Sequence, residues 1–305
     1  MASFSWSGVF PALLTPFDKD ENIDLSLFGT NLEAQIAAGA DGVIIGGSLG
    51  EASTLLNDEK KELLLYAKNI APAGFPVLVN IAEQRTRDAV NLAIDAEASG
   101  ASGLMLLPPM RYRSDDAETV AFFRAVAAST SLPIMIYNNP VDYKIDVTLD
   151  MFEELSAHEN IQAVKESTRD ITNITRMINR FDKRFSILCG VDTIALEALV
   201  SGADGWVAGL TDAFPRETVA IFRLVKAGKI KEALDIYRWF MPLLELDIHP
   251  KLVQYIKLAA ASTGIGSEYV REPRQILHGD ERIRVQHIID KALANRPLLP
   301  DYMNL

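Results

Sequence analysis

The chain has 305 residues, 49% of them hydrophobic and 23% charged; this is a globular composition with enough core for one α/β barrel and an appendage, or for two ordinary domains. A formal charge of −11 excludes non-specific attraction to nucleic acid or an anionic membrane, but leaves room for a small anionic ligand in a local basic pocket. The single cysteine, Cys189, excludes an internal disulfide framework, and the four scattered histidines (His158, His249, His278, His287) offer no metal-ligand cluster. The opening six residues lack a basic, then apolar, leader pattern, and no run approaches the roughly 18 apolar residues of a membrane span. The expectation is a soluble, cytoplasmic protein with a small-molecule partner, no nucleic acid, no membrane, no metal and no cofactor.

In chain order, short apolar runs rich in β-branched residues fall at 8–17, 42–48, 76–82, 103–109, 133–139, 161–167, 185–191 and 205–210. Helix-period segments lie between them at 25–38, 57–70, 86–99, 117–129, 148–158 and 193–200. A strand, a helix and two short loops repeat along the chain, which is the βα unit. Three echoes mark the joints: Gly39-Ala40-Asp41-Gly42, Gly100-Ala101-Ser102-Gly103 and Gly202-Ala203-Asp204-Gly205 each end a helix and open a strand, with glycine as the left-handed cap. Eight such units close most economically as a (β/α)8 TIM barrel. Past residue 215 the pattern is helical only, at 215–227, 229–246, 250–263 and 282–294. The barrel is therefore expected over residues 1–227, and a C-terminal helical extension, packed on it, over 228–305. A doubly wound open sheet is the alternative, but it needs fewer strands and a crevice motif that the sequence lacks.

Lys165 stands out because it lies inside the apolar run Ile161-Gln162-Ala163-Val164-Lys165-Glu166-Ser167, which reads as a buried parallel strand. Burial disfavours the ammonium form, and a free amine is what attacks a carbonyl carbon to form a Schiff base. The competing reading is a strand-end lysine that lays its stem along the core and carries its charge to water. Barrel active sites lie at the C-terminal ends of strands, so the other run ends were read for partners. Strand two ends in Gly46-Gly47-Ser48-Leu49-Gly50-Glu51, whose N–H groups and Ser48 hydroxyl can hold a carboxylate, or simply make a βα turn. Strand five ends in Tyr137-Asn138-Asn139-Pro140; Tyr137 has the parity of Met135 and is either an inward phenol beside the lysine or a tyrosine capping the barrel mouth. Glu166 faces the other way, toward a helix. Cys189 lies within an apolar strand and reads as a packed thiol.

Together, these turns, the Gly190-Val191-Asp192 turn after strand seven, Thr15-Pro16-Phe17 and Val270-Arg271-Glu272-Pro273 resemble the dihydrodipicolinate synthase and N-acetylneuraminate lyase family over about residues 8–273. The resemblance implies a homo-oligomer, tetramer or dimer, that forms a lysine imine with C2 of a 2-oxo acid. By position it makes Lys165 the Schiff-base lysine and Tyr137 the proton-transferring phenol. Gly47 and Ser48 become the carboxylate holders, and Gly190 part of the pocket floor. Three departures stand out. Leu49 occupies the place of a threonine that, in the synthase branch, hands a proton to the phenol. Arg111, or Tyr112 if the loop shifts by one, occupies the place of a tyrosine from the neighbouring subunit. Asp142 replaces an arginine that binds the second substrate's carboxylate, which inverts the local charge. These changes argue against 4-hydroxy-tetrahydrodipicolinate synthase. Tyr137-Asn138-Asn139-Pro140 with Val164-Lys165-Glu166-Ser167-Thr168 and Gly205-Trp206 looks most like enzymes that deaminate 1-pyrroline-4-hydroxy-2-carboxylate, a cyclic 2-imino acid. A 2-oxo-3-deoxy sugar acid aldolase or dehydratase is the alternative, with Arg111, Asp142 and Tyr143 as contacts to the substrate's tail; a catalytically silent 2-oxo acid binder is a third, and Leu49 is counted with the substrate-binding residues.

Overall fold

Strict two-residue alternation along the apolar runs sorts their side chains between the inside of a barrel and its helical coat. The computed structural model describes residues 4–305; the first three, part of the opening segment read for a leader, lie outside the described residues. The strands are β1 (Gly8–Pro11), β2 (Val43–Ile45), β3 (Val77–Ile81), β4 (Gly103–Leu106), β5 (Ile134–Asn138), β6 (Ile161–Glu166), β7 (Ser186–Cys189) and β8 (Gly205–Ala208). All neighbours pair in parallel in the order β1-β8-β7-β6-β5-β4-β3-β2. The seam between β1 and β2 is closed by the parallel bridge Ala12–Ile44 and by Leu13 N–H donating to the Ile44 carbonyl at 2.9 Å. The expected (β/α)8 barrel is therefore the observed fold. The strands are shorter than their apolar runs, because the last residues of each run leave the ladder and form the rim.

Ala12, Ile44, Leu78, Met105, Met135, Tyr137, Ala163, Leu188 and Val207 share one inner cluster, closed at the bottom by Trp6 and Phe10. The alternate positions, such as Val43, Val79, Ile136, Val164 and Trp206, join the larger cluster beneath the helices. Those helices are α1 (Leu25–Ala38), α2 (Asn57–Ile70), α3 (Thr86–Ala98), α4 (Asp116–Ala127), α5 (Pro140–Tyr143), α6 (Leu149–Leu155), α7 (Thr172–Phe181), α8 (Ala195–Val200) and α9 (Pro215–Lys226), followed by α10 (Ile230–Leu244), α11 (Leu252–Ser262) and α12 (Gly279–Ala294). Two go beyond the predicted set. α5 is a single turn started by Pro140, with the Asn139 side chain accepting from Asp142 N–H. α7 buries Ile174 and Met177 and packs Ile178 and Phe181 beside them at helical spacing, a period present in the sequence but absent from the expected set. Gly39, at φ 90°, caps α1 by donating to the Gln35 and Ile36 carbonyls, and Gly100 and Gly202 repeat the left-handed turn.

The late helices are fastened to the barrel rim by buried charge. Lys257 of α11 and Glu51, just after the β2 turn, are both fully buried and meet at 2.5 Å. The Lys257 ammonium also donates to the Tyr269 carbonyl and lies over the Phe17 ring. Arg271 N–H donates to Glu51 at 3.2 Å, and the Arg271 guanidinium pairs with Glu59 of α2 at 2.8 Å. From α10, the Tyr237 hydroxyl donates to the Asp192 carbonyl at 2.8 Å and accepts from Ala195 N–H at 3.1 Å. No helix among the described residues is long and apolar enough to cross a membrane.

Removing one member of a buried pair leaves the other charge desolvated and alone, at about 3–5 kcal/mol. Lys257→Met is expected to lower urea-unfolding stability by roughly that amount. Adding Glu51→Gln to it is expected to restore part of the loss, because the stranded carboxylate is then gone. Equal stability of Lys257→Met and wild type would refute the assignment.

Candidate active site

The inner parity of β5 and β6 brings two functional groups to one level of the barrel, since Tyr137 and Lys165 are register partners on neighbouring strands. The Lys165 ammonium lies 4.1 Å from the centre of the Tyr137 ring. Below it in the strand is Ala163, whose small side chain leaves space for the lysine stem. Beside it is Gly190, where a Cβ would stand 2.2 Å from Ser167 Oγ and 2.6 Å from Lys165 Cε and Cγ. That position is therefore closed to any side chain unless the lysine moves. Glu166, with outer parity, accepts from Asn173 of α7 at 2.8 Å and from Thr168 N–H at 2.8 Å.

One cavity at the C-terminal mouth of the barrel is lined by Gly47, Ser48, Leu49, Tyr137, Asp142, Lys165 and Gly190. With Tyr143, which also lines it, eight of the nine residues singled out in the sequence are thus brought together. Arg111 is not. It is exposed on the loop after β4, its N–H donating to Gln84 at 2.7 Å, and it borders an adjoining cleft that shares only Ser48 and Tyr143 with the cavity. Tyr112 is also exposed.

Burial is the main force on the titrating groups. It lowers the Lys165 pKa from the usual 10.5, against the opposing pull of Tyr143, Asp247 and Asp192. The same desolvation pushes the Tyr137 phenol up to about 12, although the Asn139 amide donates to it at 3.1 Å. A tyrosine kept protonated beside a lysine biased toward free amine suits proton transfer at the carbon next to an imine. Cys189 is buried and its thiol is raised to about 12, which is a packed group and no nucleophile.

Residues in and just behind the cavity wall carry more than the sequence suggested. The Tyr143 hydroxyl and Ser48 Oγ are 2.5 Å apart, and the Tyr143 ring meets that of Tyr137 edge-on at 5.5 Å. A hydroxyl that Leu49 cannot supply is thereby present beside the phenol, and it comes from the same chain. Asp192 was noticed only as the end of a glycine turn; its carboxylate accepts from Trp206 Nε1 and Leu210 N–H, both at 2.8 Å, and so locks the ends of β7 and β8 together. Asp247 reaches the cavity from beyond α10, where no motif pointed to it. Ser167 Oγ is buried against Gly190 on the side of the Tyr137 phenol.

A family model described as the Dihydrodipicolinate synthetase family matches residues 5–292. The 4-hydroxy-tetrahydrodipicolinate synthase of Exiguobacterium sibiricum is 31% identical over 248 residues, covering 80% of this chain and 85% of that protein. That of Methanothrix thermoacetophila is 29% identical over 288 residues, covering 93% and 96%. Among solved structures, the 4-hydroxy-tetrahydrodipicolinate synthase of Methylacidiphilum fumariolicum superposes with a TM-score of 0.88 at 28% identity, covering 95% of this chain and 98% of that one. The dihydrodipicolinate synthase of Aquifex aeolicus gives 0.90 at 26%, covering 96% and 99%.

Two outcomes follow from this geometry. Gly190→Ala is expected to fold but to lose borohydride-trappable imine with pyruvate by roughly 10–100-fold, because the new Cβ displaces the lysine stem. For Lys165, the reactive form is the free amine, so the trapping rate should rise with pH and level off at a midpoint below the usual 10.5; a midpoint at or above it would contradict the burial argument.

Proposed function

Since the chain belongs to the dihydrodipicolinate synthetase family, whose members are class I lyases, we propose that Lys165 is its Schiff-base lysine and Tyr137 its proton-transferring phenol. The observation that carries this is the Lys165 amine, buried in the barrel interior 4.1 Å from the Tyr137 ring. Lys165 adds to C2 of a 2-oxo acid or cyclic 2-imino acid, and the turn through Gly47, Ser48 and Leu49 holds the adjoining carboxylate. Tyr137 then moves the proton at C3. Ser48 and Tyr143 extend the hydroxyl chain toward solvent.

For the substrate we favour 1-pyrroline-4-hydroxy-2-carboxylate. Lysine addition opens the ring, water is lost from C4 and the amine is released, giving 2-oxoglutarate semialdehyde and ammonia. The charge of the cavity supports this reading over that of the synthases to which the chain is similar. Asp142, exposed at the rim, and Asp247 set two carboxylates against one exposed guanidinium, Arg169, which disfavours a second substrate bearing its own carboxylate. A 2-oxo-3-deoxy sugar acid is the second reading, because Asp142, Asn139 and Tyr143 at the rim can also meet hydroxyls beyond C4.

The test is mass spectrometry after borohydride reduction with pyruvate, 1-pyrroline-4-hydroxy-2-carboxylate or a 2-oxo-3-deoxy sugar acid, each paired with a turnover assay. An adduct on Lys165 and ammonia release from the cyclic imine are the expected result. Lys165→Ala is expected to abolish both. Retention of activity in that variant would overturn the mechanism, and turnover of the sugar acid alone would move the assignment to the second reading.

A further inference from the structure

Asp247 sits in the 3-10 turn Glu245–Ile248 that joins α10 to α11, far in sequence from every motif, yet it lines the same cavity as Lys165. Its place is made by an absent side chain: a Cβ on Gly209, at the end of β8, would stand 2.6 Å from Asp247 Oδ1. The neighbouring carboxylates are engaged elsewhere. Asp192 is taken up by Trp206 and the N–H groups of Gly209 and Leu210, and Asp142 accepts the Asn139 amide at 2.7 Å. Asp247 meets the Asp192 backbone N–H but no side-chain donor among the described residues. Desolvation first, then the Asp192 carboxylate, holds its pKa well above the usual carboxylate range against the opposing pull of Lys165.

The substrate's course through the cavity follows from its two fixed ends. Its carboxylate lies at the turn after β2 and its C2 on Lys165 of β6. Tyr143, bonded to Ser48, closes the side toward α5. Carbons beyond C3 therefore run along the β7–β8 rim, where Gly190 and Gly209 bare the wall and Asp247 is the group that faces them.

We propose that Asp247 is a catalytic acid, protonating the C4 hydroxyl as it leaves the lysine-bound substrate. The inference rests on Lys165 being the imine-forming lysine. Tyr137 takes a proton from C3, and the C3–H electron pair becomes the C2–C3 double bond of an enamine. That pair then forms the C3–C4 double bond as the C4–O bond breaks. The oxygen leaves with the bonding pair, receives the Asp247 proton and departs as water. A C5 proton is then lost and one is added at C3, which moves the double bond to C4–C5; protonation at C4 turns this enamine of the C5 nitrogen into a C5–N imine, water adds at C5 and ammonia leaves, and water at C2 frees Lys165. No oxidant, reductant or metal enters. Pyruvate, which has no C4, needs Lys165 and Tyr137 but not Asp247.

That asymmetry is the test. Wild type, Asp247→Asn and Asp247→Glu are compared for three quantities: reduced pyruvate adduct on Lys165, deuterium exchange at C3 of pyruvate in heavy water, and ammonia release from 1-pyrroline-4-hydroxy-2-carboxylate. Asp247→Asn is expected to keep adduct and exchange within about threefold while ammonia release falls at least about 100-fold, the usual worth of a positioned acid. Asp247→Glu, which keeps the proton, is expected to regain about tenfold of that loss. Exchange and ammonia release falling together would show that Asp247 acts through Lys165, and undiminished ammonia release would show that it does nothing; either overturns the proposal. Failure of the Lys165 reading looks different, since wild type would then form no pyruvate adduct, and this proposal would fall with it. If wild type forms the adduct but dehydrates only the 2-oxo-3-deoxy sugar acid, the same loss in Asp247→Asn is expected there, and its absence is equally fatal.

Discussion

A lysine amine held away from water in the inner layer of the barrel is the constraint around which the mouth is arranged. Lys165 occupies a position that would otherwise carry an aliphatic side chain, and its surroundings answer that burden point by point. Ala163 and Gly190 give its stem room, the Tyr137 ring lies against the ammonium, and carboxylates at Asp192 and Asp247 lie within electrostatic reach. Burial lowers the amine's pKa and these neighbours oppose that shift. A fully paired lysine would be inert, and an unpaired one in this interior would have too little charge to hold an anionic substrate.

The late helices belong to the same arrangement. Glu51 follows the turn assigned to carboxylate binding, and its partner Lys257 comes from α11; Tyr237 of α10 steadies the loop that carries Asp192. Ile248 and Leu252, on either side of the join into α11, line the cavity itself. The turn after β2 is therefore positioned from two directions, by its own strand and by a segment some two hundred residues later.

Much of this was legible in the sequence for a physical reason. Parallel strands buried on both faces need continuous apolar runs, so the eight runs were visible, and a lysine interrupting one was conspicuous. Strand parity placed Tyr137 beside Lys165 before any coordinates, and the rim positions after β2, β5 and β7 followed from where the runs ended. Tertiary placement was harder to read. α7 does carry a helical period in Ile174, Met177, Ile178 and Phe181, set among polar residues in a short segment, and Arg111 matches the site by its position in the chain although its loop carries it into the neighbouring cleft. Asp247 left no local trace at all. Between two apolar helices an aspartate reads as a solvated turn, and only the packing of α10 and α11 across the mouth turns it inward.

The rim of this barrel is thus divided by origin. Lys165, Tyr137 and the β2 turn are strand-end residues, fixed by the hydrogen-bonded ladder and intolerant of displacement. Asp247, Ile248 and Leu252 hang from helices held to the barrel by side-chain contacts such as the Lys257 pair, and a change in their packing re-aims them without disturbing a strand. Such a division lets the chemistry proposed at C2 be inherited intact while the groups that meet the rest of the substrate drift, and it locates the freedom to acquire new substrates in the last quarter of the chain.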